Sequence, residues 1–570
     1  MASSRASTRL AFTGSAGWRL ASFLVAAAIC LPVCALAVAA LGGSGDLWRH
    51  LLSAVLPSVA FNTLALLLGV GVLVGVVGTG TAWLVTAYRF PGQRILEWAL
   101  LLPLAVPTYV VAYAYLDILH PVGDVQGFVR WVLGYTSPRQ FRLPDIRSLP
   151  GAVLLLGLVL YPYVYLTTRA MFLTQAASLV EASRTLGLSR AEVFGRVAVP
   201  LARPAIAVGV SLALMETLND IGASQFLGVQ TLTVSVYSTW VNRNDLAGAA
   251  QIALAMLAVV VLLVMAERHA RRRQRYAAAA QKPRPMQPVP LAGLPALGAT
   301  LACALPVLLG FAAPAAYLVS EATKRVRFAG VSPRIIAEIG NTVAVSLAAT
   351  LAILGCGLLF GYVGRTYPGR RAALAARLAS LGYAVPGTVL AIGLLVPVGA
   401  FDRLVADVVE RLAGISPGLV LLGSGAALVL AYTARFAAIA IGGVEAGLGR
   451  ISPSLDGAAR VLGHGPAAAF RRVHLPLTRA AIASAGLLVF VDCMKELPAT
   501  LLLRPLNFET LATHLYGEAA RGTYEEAAIA ALLIVLIGML PVAVLARLGG
   551  GSTPADASAR RDAGVGLADS

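Results

Sequence analysis

One pattern of residues occurs twice in this chain, once in each half. The first copy contains Glu181, Ala182, Ser183, Gly187 and Pro200. The second copy lies 276 positions further on and contains Gly457, Ala458, Ala459, Gly463 and Pro476 at the same spacing. A repeat of this length indicates two homologous domains joined in tandem, and it restricts the fold to one pseudosymmetric unit.

The composition places both domains in a membrane. Of the 570 residues, 58% are hydrophobic and 13% are charged, whereas soluble domains carry about 25% charged residues. A helix that spans the bilayer needs about 20 apolar residues, and the apolar stretches of this chain supply about 12 such helices. We therefore predict an all-α membrane protein built from two homologous six-helix halves.

The basic residues predict the orientation and the segment boundaries. A net charge of +18 would suggest a nucleic-acid partner in a soluble protein. Here most Lys and Arg residues fall in inside loops when both termini are cytoplasmic, so we predict that orientation and no nucleic-acid partner. The predicted segments are a cytoplasmic tail (1–19), a first half (20–266), a cytoplasmic basic linker (267–290), a second half (291–547) and a disordered tail (548–570).

The repeated pattern predicts a structured loop on the cytoplasmic side, between the fourth and fifth spans of each half. Alanine favours a short helix, and Gly187 and Gly463 permit a turn after it. Pro200 and Pro476 then mark the end of a second helical piece before the next span. We expect a helix, a turn and a second helix at the membrane surface.

The same pattern resembles the EAA motif of binding-protein-dependent ABC importer permeases, whose form is E-A-A, three residues, G, nine residues, I, one residue, L-P. The resemblance extends from about Asn62 to the last span, in two copies. It implies a MetI-like permease fold in the bacterial inner membrane, lipid around the spans, an extracytoplasmic solute-binding protein, and two ATPase subunits that receive a coupling helix from each loop. The residues implied in coupling are Glu181, Ala182, Ser183, Gly187, Pro200, Gly457, Ala458, Ala459, Gly463 and Pro476.

The second copy departs from that motif at its first position. Gly457 stands where the family has glutamate, and Asp456 is the candidate to compensate for the missing carboxylate. A P-loop requires G-x-x-x-x-G-K-[ST], and none of the lysines (Lys282, Lys324, Lys495) follows a glycine. We therefore expect no enzymatic activity in this chain and ATP hydrolysis by a separate chain.

Four carboxylates fall inside the fifth span of the two halves. Glu216 and Asp220 in the first half correspond to Asp492 and Glu496 in the second, and each pair is spaced i, i+4 on one helical face. Charged residues at this depth are costly unless they have partners or face a cavity. Two interpretations remain open. The carboxylates cap broken helices or pair with Lys495, or they line a translocation pathway for a cation.

Residues 492–505 and 507–513 resemble the fused ferric-iron class of these permeases. That resemblance implies ferric iron as the substrate, a hard cation that prefers oxygen ligands. Permeases for thiamine, polyamine or another small cation are alternatives within the class, and an ion-driven secondary transporter is the alternative from another class. The cysteines and histidines form no recognisable metal motif. We predict no cofactor, and the sequence assigns no metal ligands.

Overall fold

The computed structural model describes residues 2–42, 53, 55–175, 183, 185–272 and 288–550. Within them, 11 helices are long and apolar enough to cross a membrane. A twelfth span is formed if a bent pair is counted as one, since Gln93–Ala105 and Thr108–Ile118 meet at 94°. The prediction of an all-α protein with about 12 spanning helices is confirmed.

The first half and the start of the linker contain eleven α-helices and a two-residue strand within the described residues. In chain order they are α1 (Ala2–Ala40), α2 (Leu56–Ala87), β1 (Tyr88–Arg89), α3 (Gln93–Ala99), α4 (Thr108–Ile118), α5 (Asp124–Leu133), α6 (Leu149–Gln175), α7 (Arg190–Glu192), α8 (Val199–Asn219), α9 (Gly222–Phe226), α10 (Leu232–Val241) and α11 (Leu246–Arg272). A 3₁₀ turn at Leu102–Ala105 precedes α4, and a π-helical turn at Val193–Ala198 joins α7 to α8.

The second half contains twelve α-helices and a two-residue strand within the described residues. Its elements are β2 (Val289–Pro290), α12 (Gly293–Val307), α13 (Ala313–Ala329), α14 (Arg334–Thr366), α15 (Arg370–Ser380), α16 (Gly387–Ala413), α17 (Ala426–Gly449), α18 (Pro453–Val461), α19 (Pro466–Ala469), α20 (Leu475–Met494), α21 (Pro498–Leu503), α22 (Leu511–Arg521) and α23 (Tyr524–Gly550). Short π-helical turns at Leu308–Ala312 and Phe470–His474 join α12 to α13 and α19 to α20.

The two largest hydrophobic clusters among the described residues each draw side chains from both halves. One core surrounds α2 and α6 of the first half and includes Cys303 and Leu318 from the opening helices of the second half. The other surrounds α16 and α17 and includes Ile29 and Leu36 from α1. The first span of each half therefore packs into the core of the other half, which interlocks the two halves.

Glycines allow this interlocking at close range. A Cβ at Gly393 in α16 would overlap the backbone oxygen of Pro32 in α1. On the other side, a Cβ at Gly310 would overlap the backbone oxygen of Leu158 in α6. Small residues at helix crossings let backbones approach in the membrane, where packing rather than the hydrophobic effect holds helices together.

The linker between the halves is tied to the first half at its far end. Strand β2 pairs with β1 in parallel, and the Leu291 amide donates a hydrogen bond to the Arg89 oxygen at 2.8 Å. Helix α11 continues to Arg272, past the predicted boundary at 266. Residues 273–287 of the linker and 551–570 of the tail lie outside the described residues, and the predicted segment boundaries stay predictions.

Candidate functional site

Both copies of the repeated loop contain the same glycine-terminated helix end. In the second copy, Gly463 has φ +75°. Its amide donates to the Arg460 oxygen at 3.0 Å, and the next amide, of His464, donates to the Ala459 oxygen at 2.9 Å. This pair of bonds is the Schellman motif, which requires a residue in the left-handed backbone conformation. Glycine adopts that conformation without strain.

The first copy repeats this geometry. Gly187 has φ +85°, and the Leu188 amide donates to the Ser183 oxygen at 3.2 Å. Glu181 and Ala182 lie outside the described residues. The glycine turn predicted from the sequence is therefore present in both copies, whereas its role in coupling stays a prediction.

Each turn also exposes a leucine that the motif did not single out. Leu186 and Leu462 occupy the same position, directly before the turn glycine, and are 83% and 74% exposed. Gly457 and Ala458 are exposed on α18 beside them, whereas Ala459 is buried. An apolar side chain repeated at the tip of both loops is a signal that comparing the two copies residue by residue would have found.

The two prolines do not end a helical piece, so that expectation was wrong. Pro200 and Pro476 lie in the first turn of α8 and α20, which continue without a break from the preceding π-helical turns. Proline lacks the amide that would bond to the preceding turn, and in both copies the π-helical turn directly before it is the place where the regular hydrogen bonding of the helix is interrupted. The second helix of each loop is therefore continuous with the spanning helix that follows.

Asp456 faces its own half of the protein. Its carboxylate lies 2.7 Å from Arg365 Nη2 at the end of α14 and is hydrogen-bonded to His474 in the π-helical turn. Burial alone would raise the pKa of Asp456, but the hydrogen bond from His474 and the charge of Arg365 lower it below the usual carboxyl range. This carboxylate fastens α18 to the helix bundle, which does not fit the role of substitute for the missing glutamate.

The helices that carry Glu216 and Asp492 end at nearly corresponding places, directly before Asp220 and just before Glu496. Helix α8 ends at Asn219 and α20 at Met494, and each is followed by a short helix, α9 or α21. Asp220 Oδ1 accepts a hydrogen bond from the Ser224 amide at 3.1 Å. Glu496 accepts from the amides of Ala499 and Thr500 at 2.9 and 3.0 Å. Both carboxylates therefore cap the short helices, as in the structural interpretation.

The second partner of each capping carboxylate differs between the halves. The Thr108 hydroxyl donates to Asp220, whereas Arg435 Nη1 donates to Glu496 at 2.7 Å. Gly387 occupies the place of Thr108, since both residues follow an Ala-Val-Pro segment. A Cβ at Gly387 would lie 2.5 Å from Arg435 Nη1, so glycine makes room for the arginine. A single arginine in the apolar run of α17 was the sequence signal for this pair.

The remaining two carboxylates, Asp492 and Glu216, differ in whether they have a partner. Asp492 Oδ1 lies 2.8 Å from Lys495 Nζ. Glu216 has no hydrogen-bond or ion-pair partner among the described residues. Cation partners thus hold Asp492 and Glu496, a hydroxyl and an amide hold Asp220, and Glu216 is the one of the four without a hydrogen-bond or ion-pair partner among the described residues.

All four carboxylates line one cavity of about 110 Å³ between the halves. Its described lining includes two basic side chains, Arg435 and Lys495. When all six groups are ionised, the cavity carries two negative charges in excess. Three tyrosines also line it: Tyr109, Tyr163 and Tyr383. The sequence placed the carboxylates in two separate spans, and the fold brings them together.

Two hydrogen bonds close this cavity across the boundary between the halves. The Gly387 amide donates to Asn219 Oδ1 at 2.8 Å, and the Tyr109 hydroxyl donates to the Lys495 oxygen at 3.4 Å. Asn219 and Lys495 are corresponding residues of the repeat, each at the end of its broken helix. The halves therefore meet at pseudosymmetric helix ends.

The cavity does not form a metal-binding cluster. Within the described residues, no group of three or more His, Cys, Asp or Glu side chains is arranged to hold a metal ion.

Comparison with known proteins agrees with this architecture. Residues 68–276 and 353–549 each match the family model described as binding-protein-dependent transport system inner membrane component. The chain is 26% identical over 491 residues to the Fe(3+)-transport system permease protein FbpB 2 of Haemophilus influenzae, a match that covers 84% of this chain and 88% of that protein.

Other relatives match less than half of this chain. The molybdenum transport system permease protein ModB of Escherichia coli is 29% identical over 218 residues, or 37% of this chain and 90% of ModB. The sulfate transport system permease protein CysT of Salmonella typhimurium is 29% identical over 198 residues, or 33% of this chain and 67% of CysT. The chain thus belongs to the family of inner membrane components of binding-protein-dependent transport systems, and it carries two copies of the family's domain in one polypeptide.

Proposed function

We propose that this chain is the fused permease subunit of an ATP-driven ABC importer for ferric iron. The assignment of ferric iron as the substrate rests on the match to FbpB 2, which extends over both halves and covers 84% of this chain. The matches to molybdenum and sulfate permeases cover about a third of it. The excess of carboxylates in the cavity supports a cationic cargo, because ferric iron prefers oxygen ligands.

The proposed partners are two ATPase subunits on the cytoplasmic side and a solute-binding protein outside. One ATPase subunit docks on the loop around Gly187 and Leu186, and the other on the loop around Gly463 and Leu462. The exposed leucine beside each turn glycine supports this docking, since exposed apolar side chains at a repeated position suit a partner surface. Both termini are cytoplasmic in this arrangement, and the separate ATPase subunits hydrolyse ATP.

Transport in this scheme follows the movement of the broken helices. The loop's second helix is continuous with α8 in one half and with α20 in the other, so movement of the ATPase subunits pulls directly on the helices that carry Glu216 and Asp492. Separation of the helix ends breaks the Asn219–Gly387 and Tyr109–Lys495 hydrogen bonds and opens the cavity. Glu216, which lacks a partner in the described fold, offers the first carboxylate to the entering cation.

Purification of the complex in mild detergent, followed by native mass spectrometry, tests the partners. We expect two copies of one ATPase for each copy of this chain. Titration of the associated binding protein with ferric iron, molybdate, sulfate, thiamine and spermidine tests the substrate. Tight binding of iron is expected, while binding of another of these compounds in preference to iron would overturn the substrate assignment and leave the permease assignment intact.

A further inference from the structure

Helix α5 is amphipathic, but its apolar side chains are exposed and two of its polar side chains are buried. It lies in the connection between α4 and α6. Asp124 at its start is exposed, but its two other polar residues, Gln126 and Arg130, face the protein. Gln126 and Arg130 are 2% and 6% exposed. Gln126 Nε2 donates to the Leu119 oxygen at 2.7 Å, and Arg130 Nη1 donates to the Pro121 oxygen at 2.9 Å. These bonds anchor α5 to the start of its own connection.

The apolar residues of α5 face away from the protein. Val125, Phe128 and Val132 follow the i, i+3, i+7 spacing of one helical face and are 40%, 63% and 61% exposed. Trp131 borders this face, is 75% exposed, and its ring lies 5.9 Å from that of Phe128. A soluble surface would show the opposite arrangement, with the aromatic rings inward and the arginine outward.

The rest of the connection is basic. Arg139, Arg142 and Arg147 are exposed after α5, and the acidic residues of this connection are Asp124 and Asp145. In the second half, the end of α16 corresponds to α5, since both segments end at a glycine in the left-handed conformation, Gly414 and Gly134.

We propose that α5 is an interfacial helix that lies in the headgroup layer of the bilayer, on the side opposite the repeated loops. Val125, Phe128 and Trp131 enter the acyl region, and the three arginines contact lipid phosphates. Lipid is favoured over a protein partner by continuity with the membrane: α5 starts six residues after α4 ends at Ile118, and the chain re-enters the membrane in α6, where Leu154 is 51% exposed. Aromatic side chains beside basic ones are typical of the lipid interface, and anionic headgroups match the charge of this connection.

Spin labels on the full transporter in nanodiscs of phosphatidylethanolamine and phosphatidylglycerol test the proposal. Labels are placed at Phe128→Cys and Val125→Cys in a variant without the native cysteines, and Arg139→Cys serves as the control. We expect oxygen to relax the labels at 125 and 128 more strongly than a water-soluble nickel chelate does, with the oxygen-to-nickel ratio several-fold higher than at 139.

Two results would overturn the proposal. One is equal access of the nickel chelate to positions 128 and 139 in the nanodisc. The other is protection of position 128 only after the binding protein is added, which would assign the surface to that protein. As a second readout, R139Q/R142Q should shift the label at 128 toward the aqueous phase, and exchange of phosphatidylglycerol for phosphatidylcholine should do the same.

Discussion

Arg435 Nη1 lies 2.7 Å from Glu496 Oε1, and in the corresponding place of the first half the Thr108 hydroxyl serves Asp220 instead. The side chains of Arg435 and Glu496 are 9% and 1% exposed. Each half thus contains a buried carboxylate at a helix break. An arginine pairs with it in the second half, and a hydroxyl donates a hydrogen bond to it in the first.

This difference predicts how the second half responds to substitution. Arg435→Val places the first-half residue at this position, since Val159 lies 276 positions earlier. It should destabilise the protein by about 3–5 kcal/mol, because removing one member of a buried pair leaves the other charge uncompensated. Gly387→Thr alone should also destabilise, because its Cβ meets Arg435.

The double variant R435V/G387T should be more stable than either single variant, since it recreates the hydroxyl-to-carboxylate arrangement of the first half. The midpoint of thermal unfolding in detergent measures all three. Additive losses in the double variant would contradict the equivalence of the two arrangements.

The carboxylates of the first half should separate into two functional types. Glu216→Gln is expected to reduce iron uptake per folded transporter about tenfold while leaving the amount of folded protein unchanged, because Glu216 lines the cavity without a partner in the described fold. Asp220→Ala should instead lower the stability by about 0.5–2 kcal/mol, because it removes the cap of α9. Uptake normalised to folded protein, measured for both variants, checks this division, and wild-type uptake by the Glu216→Gln variant would remove Glu216 from the pathway.

The turn glycines should be intolerant of side chains that resist a positive φ. Gly187→Val or Gly463→Val places a β-branched residue at φ +85° or +75°, at a cost of about 1–2 kcal/mol. We expect the protein to remain inserted while binding-protein-stimulated ATP hydrolysis and uptake become uncoupled. Gly340→Ala in α14 is the control, because a Cβ there meets open space and the helix gains by the change. Normal coupling in both valine variants would count against docking through this turn.

The exposed leucines should contribute to ATPase affinity without contributing to folding. Leu186→Ser and Leu462→Ser, at residues 83% and 74% exposed, are each expected to weaken association with the ATPase by about 1–3 kcal/mol, the loss for a buried apolar anchor. Sedimentation of the detergent complex gives the affinities. The stability of the isolated chain should be unchanged, and equal affinity in the double variant would place the contact elsewhere.

The Asp456 cluster should make stability depend on pH in the acid range. The pKa of Asp456 is lowered in the fold, so its contribution is fully present above the ordinary carboxyl pKa of about 3.9 and is lost as the pH falls through the lower, folded-state value. Asp456→Asn should therefore unfold at lower temperature than the parent at pH 6, and the difference should shrink below pH 4. A difference that grows on acidification would contradict the assigned sign.

Sequence reasoning succeeded where the signal is local or repeated. The glycine turns at 187 and 463 follow from residue type and spacing, and the broken helices beyond Glu216 and Asp492 were part of one of the two interpretations that the sequence left open. It failed at Pro200 and Pro476, because proline is common both near the start of a helix and just after the end of one, and the residue type alone does not distinguish the two positions. The pairing of Arg435 with Glu496 and the exchange of first spans between the cores depend on contacts between distant segments, which no local pattern encodes.

Uptake of iron into proteoliposomes tests the central claim most directly. The chain is reconstituted with its ATPase subunits, ATP is enclosed on the side of the repeated loops, and the iron-loaded binding protein is added on the other side. We predict accumulation of radioactive iron that requires both ATP and the binding protein and that falls about tenfold in the Glu216→Gln variant. Iron uptake that continues without ATP or without the binding protein, or accumulation of sulfate or molybdate in place of iron, would contradict it.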